Sequence, residues 1–520
     1  MRSETARRHH WQAAGSHVGD EQQSAGDRVE WLIDNERALD SLLCAVRDAR
    51  ESIWISQLAF DSDCRAFNSS DPATPTDGGS LIDAIITASA QRRVGVKILL
   101  NSSVLLNTRR PLMRFLEGRV DEPRLVEVRG ISRFPRLLHA KIVVIDQQRA
   151  FLLGSPFVNG YWDTASHAPL DERRPHRELG GRPVHDVSLA LQGQVVGEIA
   201  ATFVSLWNGA EHRDNREDLP TTQPPSRRSS AARSIEVVTT EPRSSRKKLQ
   251  PGSVGTLNAL LDAIRNARSL IYIEHQYLSS RPIVAALREV LEIQPALEII
   301  LVLNQNPDVT AYRVWQNERL AESGLLGHPR VGAFALWTSQ KTAGPSTRIS
   351  QVFVHSKVVT IDDVWALVGS ANLDGASLDS YGDDFKGRLA RRVFRDVRNF
   401  DVSVVVRATT AAPANDPVAQ LRERLWSEHL RLDPSAISRA QTGKTVSLWN
   451  TIAARNAANL VDRGSGATDG SFILPYSTMA TPRAQLTDVG VVDAESLDLA
   501  FDPGWLEVRL SPNWIRNMFL

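Results

Sequence analysis

The sequence predicts two α/β sandwich domains related by a pseudo-two-fold axis, each a mixed sheet flanked by helices, followed by a C-terminal appendage. Three observations lead there. Ser41–Gln57 (SLLCAVRDARESIWISQ) aligns without a gap to Ala259–His275 (ALLDAIRNARSLIYIEH), 218 residues later. Three further blocks repeat in the same order: VGVKILLNSS from Val94 with LEIILVLNQN from Leu297, LLHAKIVVID from Leu137 with FVHSKVVTID from Phe353, and HDVSLAL from His185 with FDVSVVV from Phe400. A period of about 216 residues is far too long for a solenoid or propeller, so the chain is a duplicated domain. Within each copy, short apolar strands alternate with amphipathic helices of about 12 to 18 residues, the pattern of a sheet covered on both faces.

Each segment follows from its local pattern. Residues 1–28 contain basic residues with no apolar stretch after them, so they read as a flexible segment without a secretory signal. Residues 29–209 form the first half and 234–435 the second, which opens on the strand IEVVTT from Ile235. In both halves the last repeated strand precedes an amphipathic helix carrying a tryptophan, Trp207 and Trp426. Between them, residues 210–233 include TTQPPSRRSSAARS, a Pro-, Ser- and Arg-rich linker that cannot support a core. Nothing in 436–520 repeats; a helix, SLWNTIAARNAANLV, sits among Gly- and Pro-punctuated segments of unreadable role.

Composition narrows the chemistry. The 520 residues carry 61 Lys plus Arg and 60 Asp plus Glu, a formal charge of +1, so no global basic field attracts nucleic acid. Cys44 and Cys64 are the only cysteines, which excludes a disulfide framework and a cysteine-built zinc cluster; both read as small packing residues. No apolar run approaches 18 residues, so no bilayer span is expected. Of the 61 basic residues only eight are Lys.

Two of those eight sit at matched positions. In a strand, His139 and Lys141 share a face, as do His355 and Lys357. A lysine on that face is costly to bury without an anion to meet it, so two matched His-Lys pairs imply one shared anionic ligand, and a phosphodiester suits them. An Asp follows five residues after each Lys, at Asp146 and Asp362, and a Gly-Ser pair after that, at Gly154-Ser155 and Gly369-Ser370. Because Asp146 and Asp362 lie seven residues beyond the histidines, a regular strand points them to the opposite face, where they would fix the turn.

The duplicated His-x-Lys-x4-Asp motif, with Gly369-Ser370-Ala371-Asn372, resembles the phospholipase D superfamily over roughly Val29 to Leu430. IYIEHQY from Ile271, GYWDT from Gly160 and HDVSLALQG from His185 are similar to phospholipase-type members. The resemblance implies a covalent phosphohistidine mechanism without metal or cofactor, and makes His139, Lys141, Asp146, His355, Lys357, Asp362 and Asn372 the catalytic set. By analogy His139 is the nucleophile and His355 the general acid. Lys141, Lys357 and Asn372 supply the charge and amide that favour the five-coordinate phosphorus. One ring must be neutral and one protonated, which predicts coupled titration and a bell-shaped rate profile. Each imidazole needs an acceptor on its far nitrogen, and Asp186 and Asp401, 47 and 46 residues after the two histidines, are the candidates. The first copy departs from the pattern, reading Gly154-Ser155-Pro156-Phe157; Ser155, Ser370 and Asn159 are expected at the substrate, with Phe157 lining an acyl or alcohol site. Asn101 and Asn304 at repeated strand ends, with Glu274 and Gln276, either face the cleft or serve the fold, and the structural role is favoured.

The expected reaction is hydrolysis and transphosphatidylation of glycerophospholipids at a membrane surface by a peripheral, monomeric enzyme. A nuclease of the same superfamily is disfavoured by the neutral charge, and a phosphatidyl transferase of the cardiolipin synthase kind by the missing amino-terminal membrane segment. Two intact His-Lys pairs argue against a catalytically dead lipid-binding member. The Arg-rich composition is typical of GC-rich bacterial coding, and the expected location is cytoplasmic or exported by a signal-independent route, with a secretion or immunity partner as the corollary.

Overall fold

The duplication is visible strand for strand in a computed structural model, which describes residues 26–68, 76–103, 106–132, 136–175, 179–210, 218–220, 234–242, 253–308, 310–341, 347–378, 398–408, 416–437, 444–460 and 471–500. The first half is a seven-stranded sheet in the order Arg28–Ile33, Val187–Gln192, Arg149–Leu152, Ile142–Ile145, Ser52–Ser56, Gly95–Asn101 and Val126–Ile131. The second half repeats that order with Ile235–Glu241, Asn399–Arg407, Trp365–Gly369, Lys357–Ile361, Leu270–His275, Glu298–Leu303 and Val331–Lys341. Directions match too: the first five strands of each sheet pair antiparallel and the last three parallel. The parallel pairs need crossovers, which the helices Leu81–Arg92, Arg109–Leu116, Arg281–Ile293 and Thr310–Glu322 supply.

Helix Asn35–Asp48 buries Ala38, Leu39, Leu42, Leu43 and Val46, an i, i+3, i+4 stripe that packs on the outer face of its sheet. Leu260 and Ile264 of Gly255–Asn266 do the same on the second. The inner faces of both sheets share one apolar cluster, in which Trp54, Phe203 and Trp207 from the first half are continuous with Tyr272, Phe334 and Trp426 from the second. That shared core is what holds the halves face to face.

The segment after Ser435, expected as an appendage, is built into the second half. Ser471–Pro475 pairs antiparallel with Val331–Lys341, and helix Thr445–Ala458 buries Trp449 against Tyr272, Phe334 and Trp426. The sequence repeat stops at Ser435 because the first half has no counterpart to this edge, not because the fold stops there. Most of the expected linker, and residues 1–25 of the expected flexible segment, lie outside the described residues. Cys64 is fully buried, as a packing residue should be, whereas Cys44 is exposed. Among the described residues no helix is long and apolar enough to cross a membrane.

Candidate active site

Two short strands cross between the halves and build the site. Leu137–Leu138 runs parallel to Asn399–Phe400, and Val184–His185 runs parallel to Phe353–Val354. The amide of His139 donates to the Phe400 carbonyl at 3.0 Å, and that of His355 to the His185 carbonyl at 2.8 Å. Each half thus lays the residue before its histidine beside the residue before the other half's aspartate. As a result His139 Nδ1 lies 2.7 Å from Asp401 Oδ1 and His355 Nδ1 lies 2.8 Å from Asp186 Oδ2. The carboxylate partners are those expected, but they are exchanged between halves. A carboxylate accepts, so Nδ1–H donates and the lone pair of each ring is left on Nε2.

The strand before each histidine is clasped by an asparagine. Asn101 donates to the Leu138 carbonyl at 3.0 Å and accepts from its amide at 3.0 Å; Asn304 does the same to Val354, at 2.7 and 2.8 Å. These two residues end matched strands and fix the backbone one position before His139 and His355, in keeping with their structural reading.

Lys141 Nζ lies 3.2 Å from His139 Nε2 and donates to the His139 carbonyl at 3.2 Å; Lys357 Nζ donates to the His355 carbonyl. All four side chains are at least 97% buried. Burial, then the neighbouring Lys357, lowers the Lys141 ammonium to about 7, and burial lowers Lys357 to about 8. Burial and then the adjacent lysine lower His139 to about 4 and His355 to about 3, against the pull of Asp401 and Asp186. Each histidine also feels the lysine of the opposite half, so the two pairs are electrostatic neighbours. Burial, and after it the buried ammonium groups, therefore disfavour protonation of both rings in the free protein, against the expectation of one charged and one neutral ring. Asp186 stays ionised, held at about 2 by the His355 imidazole in spite of its burial.

The remaining expected residues fall behind or beside the pocket. Ser155 Oγ donates to Asp186, and Ser370 Oγ donates to Asp401 Oδ1 at 2.8 Å, so both serines support the carboxylates rather than contact a substrate. Phe157 is 1% exposed and packs edge-to-face on Phe60 at 4.9 Å. Asn159 bridges the Asp63 carbonyl and the Arg65 amide at 2.6 and 2.9 Å, leaving it no role at a substrate. A 3-10 turn at Asn159–Tyr161 draws this segment inward and brings the Tyr161 ring edge-to-face with His355, centroids 4.9 Å apart. Asn372 is 5% exposed and its Oδ1 has no hydrogen-bond partner.

Asp146 and Asp362 are not at the site. The strands end at Ile145 and Ile361, and each aspartate adopts a left-handed φ, 51° and 53°. Asp146 accepts the amides of Arg50, Glu51 and Ser52 at 2.9, 2.8 and 2.8 Å; Asp362 accepts those of Arg268, Ser269 and Leu270 at 2.7, 2.8 and 2.8 Å. They tie the strand turn to the loop before Ser52–Ser56 and Leu270–His275, so their place is structural and not catalytic.

Gln57 and His275 occupy equal positions at the end of the first repeated block. Both are fully buried, and neither polar side-chain atom of either residue has a hydrogen-bond partner. His275 pairs across the sheet with Lys357 and is pushed well below the usual histidine range by burial and then by that ammonium. Their position at the last column of the gapless alignment was the one signal for them.

The glycine of each Gly-Ser pair is fixed sterically. A Cβ on Gly154 would collide with the Asp186 carboxylate, and one on Gly369 with Ser403. Gly154→Ala is therefore expected to displace Asp186, costing about 1–3 kcal/mol and lowering turnover together, measurable by thermal melting and by assay of the same sample.

A family model described as "Cardiolipin synthase, PLD-like domain" matches residues 260–384, and one described as "Phospholipase D" matches residues 335–492; both span the second His-x-Lys motif. Phospholipase D A of Dictyostelium discoideum is 23% identical over 359 residues, covering 57% of this chain and 27% of its own. A cardiolipin synthase of Listeria welshimeri is 21% identical over 365 residues, covering 67% of this chain and 62% of its own. The chain spans about half or less of the length of the curated phospholipase D proteins it matches. Phosphatidylserine synthase of Haemophilus influenzae Rd KW20 shares the fold, with a TM-score of 0.50 and 12% identity over 76% of this chain and 85% of that one. Two family models on the second half, relatives that align with 57% and 67% of the chain and a duplicated fold lead to one likeness: the chain resembles members of the phospholipase D superfamily.

Proposed function

We propose that this chain hydrolyses glycerophospholipids to phosphatidic acid and free headgroup, and transfers the phosphatidyl group to alcohols, through a phosphohistidine. The observation that carries the reading is the crossed arrangement: two imidazoles, each with Nδ1 held by the other half's carboxylate, flanked by two buried lysines. Nε2 of His139 attacks phosphorus, the bond to the headgroup oxygen breaks, and His355 gives that oxygen its proton. His355 then takes a proton from water or an alcohol, whose oxygen attacks phosphorus as the P–N bond breaks. The diester's charge, arriving between Lys141 and Lys357, raises the proton affinity of His355 in the complex and lets it serve as acid. The two ammonium groups and Asn372 meet the charge that builds on the equatorial oxygens. Lipid rather than nucleic acid is favoured by the names of the matched relatives and by the net charge of +1.

A second reading has one observation in its favour, the cardiolipin synthase relative: the acceptor alcohol is another lipid's headgroup rather than water. A mass-spectrometric profile of products from mixed phospholipid vesicles, with and without ethanol, separates the cases. Phosphatidic acid, replaced in part by phosphatidylethanol, supports the first reading; cardiolipin or another headgroup-exchanged lipid without phosphatidic acid supports the second. Inert vesicles with cleaved single-stranded DNA overturn both.

The pH dependence follows from the free protein. Lys141 and Lys357 are charged below about 7 and 8, so kcat/KM falls as pH rises through that window. On the acid side His139 keeps its lone pair down to about 4, so the loss begins only there. Because His355, at about 3 in the free protein, must gain a proton before it can serve as acid, kcat/KM is expected to decline as pH rises from about 4 and to fall more steeply above about 7; an acid limb near 6.5 would mean an ordinary solvated histidine.

A further inference from the structure

A second cluster lies under the site, at the seam. Asp34, His167 and His185 come from the first half and Glu428 from the second, and none of the four side chains is more than 14% exposed. His185 Nδ1 lies 3.0 Å from Asp34 Oδ1 and 3.1 Å from Glu428 Oε1; His167 Nε2 lies 3.2 Å from Glu428 Oε1 and 3.6 Å from Asp34 Oδ1. All four atoms lie within 4.8 Å of one another.

A tetrahedral zinc ion with bonds of about 2.0–2.1 Å to nitrogen and oxygen has ligand–ligand edges of about 3.3 Å. The four measured edges straddle that length. The far nitrogen of each imidazole faces a carboxylate, as in metal-bound histidines. His167 Nδ1 faces Asp163 Oδ2 at 3.1 Å, and His185 Nε2 faces Glu274 Oε1 at 2.9 Å. Those carboxylates are held in turn, Asp163 by Arg174 Nη1 at 2.7 Å and the Val184 amide at 2.7 Å, Glu274 by Tyr272, Ser356 and His429. Asp34 is 2% exposed, yet its Oδ2 has no hydrogen-bond partner, a need that a bound cation would satisfy.

We propose that Asp34, His167, His185 and Glu428 bind one structural zinc ion that clamps the two halves together. Four protein ligands close the shell, so the ion has no open position and takes no part at phosphorus. Its place explains its value: His185 precedes Asp186 and pairs with Val354, which precedes His355, so the ion anchors the crossing strand that carries one His-Asp pair. GYWDT and HDVSLALQG supply Asp163 and His185, and the segment between them supplies His167.

The test is elemental analysis of the intact protein, purified without added metal, alongside Glu428→Gln and His167→Ala. The expected result is about one zinc per chain, lost in both variants, and a melting temperature that a chelator lowers by several degrees in the parent only. If the variants fail to fold, cobalt alone added to chelator-stripped parent protein gives the intense visible absorption of a tetrahedral site. A parent protein that carries no metal, shows no tetrahedral cobalt spectrum and melts identically with chelator overturns the proposal, and leaves the cluster a network of imidazolium–carboxylate pairs.

Discussion

Replacing His139 or His355 by alanine is expected to reduce phospholipid turnover at least about 10^4-fold, because each ring has a role no neighbour can assume. Lys141 cannot act as nucleophile while it must remain an ammonium, and Tyr161 offers His355 only a ring edge. The stability cost should be small for buried, hydrogen-bonded residues. Each histidine sits in a field of two ammonium groups that depresses its protonation, and the carboxylate left behind keeps a serine: Asp401 keeps Ser370 and Asp186 keeps Ser155. Melting within a few degrees of the parent alongside lost turnover is the expected pair of results. Loss of both in equal measure would mean that the rings serve packing alone.

Asp186→Asn and Asp401→Asn are each expected to lower kcat by about 10^2–10^4, since an amide neither fixes the Nδ1–H tautomer nor stabilises the imidazolium that forms in turnover. The crossing gives this prediction its direction. Asp401→Asn should perturb the imidazole resonances of His139 and leave those of His355 close to the parent, and Asp186→Asn should do the reverse. Perturbation confined to the histidine of the same half would show that the halves do not exchange carboxylates.

The duplicated architecture was legible because the two copies preserve both the spacing and the strand pattern, so His139, Lys141, His355 and Lys357 identified themselves by matched position. The need for a carboxylate behind each ring likewise pointed to Asp186 and Asp401. Which aspartate serves which histidine was not legible, since it is decided by pairing Leu137–Leu138 with Asn399–Phe400, some 260 residues away along the chain. The serines misled for a related reason: a hydroxyl beside a motif suggests substrate, and only the approach of the neighbouring strand, so close that Gly154 and Gly369 admit no Cβ, turns Ser155 and Ser370 toward the carboxylates. Phe157 and Asn159 were displaced by a single 3-10 turn, a local choice that periodicity does not encode. Trp449 was invisible as a core residue because its helix has no repeat partner.

The most direct measurement uses a phosphatidyl ester with a leaving group acidic enough to need no proton, mixed with the His355→Ala variant, quenched and digested for mass spectrometry. One phosphatidyl group on His139, persisting because no base remains to activate water, is the result expected of two halves sharing one phosphorus. An unmodified His139, or a phosphatidyl group on any side chain outside the two His-Lys pairs, would contradict it.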